Sequence, residues 1–209
     1  MSTPAHEPDQ LEFAVRADRR AVVLFDGVPE PRGTVLDNAT SRLVFPATAA
    51  VLDADEVVIW VPEERDDALQ ILVSPFEIDG RTEAAADRWR IYHGKEPSTR
   101  WLAGEPIALR LGPMVVAGDD VDLSNPLAAA EPALCKRFNA EPARLGALAS
   151  AFDPRSTGSC VLVGVDAMGI DLRTRFDIVR VPFGERITDA DAAGERIAEL
   201  LERHAGDAA

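Results

Sequence analysis

The chain has 209 residues with 36 acidic against 22 basic side chains, a formal net charge of −14, and 46% apolar residues. That length buries a sizeable core in one large domain or two small ones, and the apolar share excludes a disordered class. The charge argues against nucleic acid and anionic membranes as partners, because both are bound by basic surfaces that displace counterions. No run reaches the roughly 18 apolar residues of a spanning helix. The opening MSTPAHEPDQ lacks a basic stretch followed by an apolar one, so no signal peptide is expected. Cys135 and Cys160 have no metal-like spacing. They read as free thiols in a reducing compartment, which makes the expected location cytoplasmic.

In chain order, Glu12–Arg20 is helix-compatible and Ala21–Phe25 is a short apolar strand. Asp26–Gly33 is thick with Gly and Pro and reads as a loop. Strands follow at Thr34–Asp37, Arg42–Pro46, Glu56–Val61 and Leu69–Ile78, with one helical turn in Ala47–Ala54. Short strands joined by turns, without crossover helices, imply an antiparallel meander or small barrel. Thr82–Gly94 is a helix with Thr82 as N-cap, an Ala85–Trp89–Tyr92/His93 stripe and Gly94 as its stop. Pro97–Leu102 reads as a second, shorter turn, and Glu105–Gly118 as a strand pair or one long bent strand, interrupted at Gly112-Pro113.

The polar stretch Asp119–Pro126 marks a boundary, giving domains 1–120 and 124–205. Leu127–Phe152 is helical in two pieces, broken at Glu141-Pro142. Cys160–Val165 is an apolar run rich in β-branched residues, Ile170–Arg175 and Ile178–Phe183 alternate as strands, and Asp166-Ala167-Met168-Gly169 reads as a turn. Thr188, with Asp191 three residues on, opens the last helix. Its stripe runs through Ala193, Ile197, Leu200, Leu201 and His204.

The segments VGVDAMGIDLR, VRVPF and ITDADAAGERIAELL resemble the uncharacterised C-terminal α/β domain carried by haem-utilisation and pyridoxamine-oxidase-like split-barrel proteins. The resemblance covers Ser124–His204; in the N-terminal half the likeness to the flavin-binding split barrel lies in element order. It implies an α+β fold, an N-terminal split β-barrel of the FMN-binding kind followed by a helix-plus-antiparallel-sheet domain. It also implies a homodimer with a haem or flavin site at the interface. The related domain often carries histidines near an Asn-Ala pair, and the segment here, Arg137-Phe138-Asn139-Ala140-Glu141-Pro142, has none.

A flavin phosphate needs Arg, Lys, Ser or Thr on adjacent strands. Residues 21–78 hold three basic side chains (Arg32, Arg42, Arg65) and eleven acidic ones. Thr40-Ser41-Arg42 is the cradle candidate, against the plainer reading of a turn with a solvated arginine. His93, beside Trp89 and Tyr92, and His204, on the last apolar stripe, are the candidate haem ligands. His93 is also readable as a dipole-compensating surface group at a helix end, and His204 as a core-edge residue or one packing across a dimer. Lys136 and Arg137 would lower the Cys135 thiol pKa, yet no histidine or acid partner is identifiable for it. Asp119-Asp120-x-Asp122 resembles part of a calcium loop without its Gly and Glu. There is no phosphate loop, nucleophile elbow or zinc pattern.

Two functions follow from different classes. One is a non-catalytic binding or regulatory protein, with a degenerate cofactor site and a protein partner to be sought. The other is a haem-binding or haem-degrading protein, or an FMN-dependent oxidoreductase.

Overall fold

The computed structural model describes residues 7–94, 100–175 and 177–204. The fold is α+β and divides into two compact units, Met1–Ser124 and Asn125–Ala209.

The first unit opens with helix α1 (Glu7–Ala17). The helix stops earlier than its composition suggests, because the Asp18 carboxylate accepts the Arg20 N–H at 2.9 Å and turns the chain into strand β1 (Arg20–Phe25). Next come β2 (Val28–Gly33), β3 (Val35–Leu36), β4 (Leu43–Ala47), a 3₁₀ turn (Ala49–Leu52), β5 (Val57–Val61) and β6 (Leu69–Ile78). Helix α2 (Ala84–His93), β7 (Arg100–Leu111) and β8 (Met114–Ala117) complete the set.

The strands form one curled antiparallel half-barrel sheet, ordered β2-β1-β5-β6-β7-β4-β3, with β8 on β7. The expected loop at Asp26–Gly33 is a turn plus the strand β2. Its prolines face Leu24 and Val22 across an edge, the one sheet position where a missing N–H is tolerated. Helix α2 begins two residues beyond Thr82, with Glu83 in the cap position, and ends at Gly94, whose φ of 80° stops it. Residues 97–99 of the expected turn lie outside the described residues, and Leu102 belongs to β7.

Period-two alternation places Ile59, Ile71, Leu102 and Leu109 inside, where Leu11 and Val15 of α1 join them in one core. Strand β7 organises the site. Its first residues pair with β4, Leu43 opposite Gly104 through Ala47 opposite Arg100, and its last pair with β8, Ala108 opposite Ala117. Between those stretches Glu105, Pro106 and Ile107 pair with neither β4 nor β8. Pro106 has no N–H to offer there.

The second unit holds α3 (Glu131–Phe138), α4 (Pro142–Phe152), β9 (Val161–Asp166), β10 (Gly169–Arg173), β11 (Ile178–Pro182) and α5 (Ala190–Arg203). Its antiparallel sheet runs β11-β10-β9. Ile197, Leu200 and Leu201 bury against Leu145, Ile170 and Phe183. The cap of α5 is Asp189 rather than Thr188, since Asp189 is extended and its carboxylate accepts the Ala192 N–H at 2.9 Å. Among the described residues no helix is long and apolar enough to cross a membrane.

Candidate ligand-binding cleft

The gap along β7 opens a cleft of about 730 Å³ in the first unit. The lead-in to β4 contributes Thr40, Ser41 and Arg42, and β6 contributes Ser74. Glu105, Pro106 and Ile107 of β7 form the floor, and the 117–122 segment forms the far wall. That segment passes close over β7 because residue 118 is glycine: a side chain there would run into the Pro106 carbonyl.

The cleft brings the Thr40-Ser41-Arg42 triplet together in a lining of net negative charge. The described lining residues carry one guanidinium, Arg42, and three carboxylates, Glu105, Asp119 and Asp122. Arg42 donates from Nε and Nη2 to Glu105 Oε1, at 3.2 and 3.0 Å, and lies 5.1 Å from the Phe76 ring centroid. Its fork is occupied by a carboxylate of the cleft itself. The Thr40 hydroxyl donates to Asp37 at 2.6 Å, and Ser41 Oγ accepts the Leu123 N–H at 2.9 Å.

The two histidines lie elsewhere. His93, half-buried at the end of α2, packs its ring over Gly33 and sits 4.8 Å from the Trp89 ring. Its Nε2 is 3.2 Å from the Thr34 carbonyl, which only accepts, so Nε2 carries the proton. Trp89 donates from Nε1 to the Gly33 carbonyl at 2.8 Å. Together these two side chains hook α2 onto the β2–β3 junction. His204 belongs to the second unit, at the end of α5, edge-on to Phe152 at 5.8 Å.

Asn139, of the Asn-Ala pair, is structural: its amide donates to the Leu162 carbonyl at 3.0 Å and accepts the Leu162 N–H at 2.8 Å. Cys160 is buried, which pushes its thiol pKa up to about 11 and keeps it neutral. Among the described residues no group of three or more His, Cys, Asp or Glu is placed to hold a metal.

Glu105 and Ser74 went unweighted in the sequence, and Asp119 and Asp122 suggested only a partial calcium loop. Pro106 and Gly118 were the available signals, since one interrupts a strand ladder and the other admits a close backbone crossing.

No protein-family model matches the chain, and no curated protein does. Among solved structures it is similar along nearly its whole length to the protein Atu2129 (unknown function) from Agrobacterium tumefaciens str. C58. The identity is 20% and the TM-score 0.69, covering 96% of this chain and 97% of that one. A heme binding protein from Mycobacterium smegmatis aligns over 98% of this chain and 99% of its own, at 15% identity and a TM-score of 0.45. The General Stress Protein 26 from Bacillus anthracis str. Sterne covers 54% of this chain and 99% of its own, at 11% identity and 0.37. The first of these likenesses shows the fold; the other two are too distant to carry an argument.

Proposed function

We propose that this chain is a non-catalytic binding protein on a split-barrel scaffold of the pyridoxamine-oxidase-like kind. Its cleft takes a small organic cation, an amine, rather than a phosphate-bearing cofactor. The observation that carries the reading is the charge of the cleft: three carboxylates line it, and its guanidinium rests on one of them. A phosphate dianion entering there would meet Asp119 and Asp122 and would have to displace Glu105 from Arg42. An ammonium group instead gains charge-assisted hydrogen bonds from the same carboxylates. Its methylene groups can lie on Pro106, Ile107 and Val121, of which Ile107 is 51% exposed.

The haem reading requires an axial nitrogen. In His93 the Nε2 proton is committed to Thr34, so ligation through that atom needs the ring released from the Gly33 junction.

Calorimetric titration with putrescine, FMN and haemin, followed by absorption spectroscopy, tests the reading. Putrescine is expected to saturate one site, and Asp119→Asn with Asp122→Asn to remove it. A Soret band lost in His93→Ala, or saturable quenching of FMN fluorescence, would instead establish the haem or the flavin reading.

A further inference from the structure

Strand β9 is an outer strand of the second unit's sheet, and among the described residues no strand pairs with its open side. Its sequence is of the kind that finds a partner. Val161-Leu162-Val163-Gly164-Val165 holds no charge and no proline, and Val161 is 42% exposed. Such a run at a sheet edge is a template for the same run of another chain. Here the open side is closed by side chains. Val163 is passed over in the register with β10, which turns Leu162 and Val165 the same way. The Leu162 N–H donates to Asn139 Oδ1 at 2.8 Å, and its carbonyl accepts from Asn139 Nδ2 at 3.0 Å. These are the two bonds that a residue of a neighbouring strand would exchange. The Val165 N–H donates to Glu131 Oε1 at 3.0 Å, and its carbonyl accepts from Asn125 Nδ2 at 2.8 Å. Glu131 and Asn125 are only 6% and 5% exposed, and Asn125 is itself fixed by accepting the Leu127 N–H at 2.9 Å.

Two of these caps sit at opposite ends of α3: Glu131 opens the helix and Asn139 follows its last residue. From Glu131 to Asn139 a helix rises about 12 Å, and from Leu162 to Val165 a strand advances about 10 Å, so one short helix reaches both. We propose that α3 is a latch over a masked strand-addition site, and that the site takes the β9 segment of a second copy when the latch is open. The latch is weak by itself. With 8 residues α3 is shorter than the roughly 12–15 that sustain a lone helix in water, and no side chain caps its N-terminus. It holds its shape through its contacts with the sheet. Drawing it away strips four backbone groups of Leu162 and Val165 of their partners, and an extended segment supplies donors and acceptors at the same spacing. The run suits its own copy because it is uncharged and apolar, whereas the net charge of −14 keeps the rest of two chains apart.

Hydrogen exchange at the Leu162 and Val165 amides, read by NMR in dilute and concentrated samples of the full chain, tests the proposal. In the wild type both amides are expected to exchange slowly at either concentration. Asn139→Ala with Glu131→Ala is expected to speed both by about tenfold or more in dilute solution. Concentrating that double variant is expected to restore slow exchange as copies pair. It should also take up a fluorescent peptide of residues 161–166, which the wild type leaves free. Val161→Lys, added to the double variant, places a charge in the run and is expected to abolish the recovery on concentration. Fast exchange that concentration does not slow, with no peptide uptake, overturns the proposal. Exchange that stays slow without the two caps overturns it as well. A recovery that survives Val161→Lys means that copies associate elsewhere, and the proposal fails. If the double variant does not fold, Asn139→Ala alone is read in the same way.

Discussion

A methyl group on Gly33 would occupy the space of the His93 imidazole, while Trp89 holds the Gly33 carbonyl at 2.8 Å. Residue 33 must therefore be glycine for reasons of contact, and the histidine opposite it is a packing group before it is anything else. Gly33→Ala is expected to lose about 1–3 kcal/mol of unfolding free energy, the usual range for overpacking. His93→Ala empties the space, so in that background the same substitution should lose less than about 0.5 kcal/mol, a strong departure from additivity. Urea unfolding of the four proteins measures this. An equal penalty in both backgrounds would sink the packing account and free His93 for consideration as a ligand.

At the scale of the element, the second unit's sheet is tied by charge as well as by its ladder. Arg180 of β11 reaches Asp166 Oδ1 at 2.6 Å and Asp171 Oδ1 at 3.2 Å. The arginine side chain is 8% exposed and each aspartate 1%, so the three strands share one buried ionic cluster. Arg180→Met keeps much of the volume and takes the guanidinium from two buried carboxylates, an expected loss of about 3–5 kcal/mol. Thermal unfolding reads it, and a change under about 1 kcal/mol would mean that the cluster adds little beyond burial. None of this was visible in the sequence, although the strands themselves were. The β-branched apolar run Val161-Leu162-Val163, the alternation toward Val179-Arg180-Val181 and the helical stripe of α5 are all local signals. A cross-strand partner is not local: it depends on register, which a linear reading does not fix. The same reason separates the two halves of the cleft. Thr40-Ser41-Arg42 was legible as hydroxyls beside a base, but its counter-charge, Glu105, lies 63 residues further on. Strand β2 was missed because Pro29 and Pro31 argue for a loop unless the strand is known to lie at an edge.

At the scale of the whole molecule, a net charge of −14 attracts any small cation, so affinity for an amine does not by itself locate a site. Salt separates the two contributions. The Debye length is about 30 Å at 0.01 M and about 8 Å at 0.15 M ionic strength, so diffuse attraction to scattered carboxylates fades across that interval. An ammonium group hydrogen-bonded to a carboxylate of the cleft keeps short contacts, which salt weakens far less. Putrescine is therefore expected to bind with more than one equivalent at about 0.01 M salt and to converge on a single equivalent at about 0.15 M. Replacing both Asp119 and Asp122 by Asn should then remove that last equivalent, whereas the same pair of changes at Glu63 and Glu64, exposed acids outside the cleft, should trim only the low-salt excess. If binding vanishes entirely on adding salt, or if the two double variants lose it alike, the amine is only part of the counterion atmosphere. The cleft would then have no claim to it, because both double variants remove the same formal charge and differ only in whether the charge faces Arg42 and Ser41 across the gap in β7.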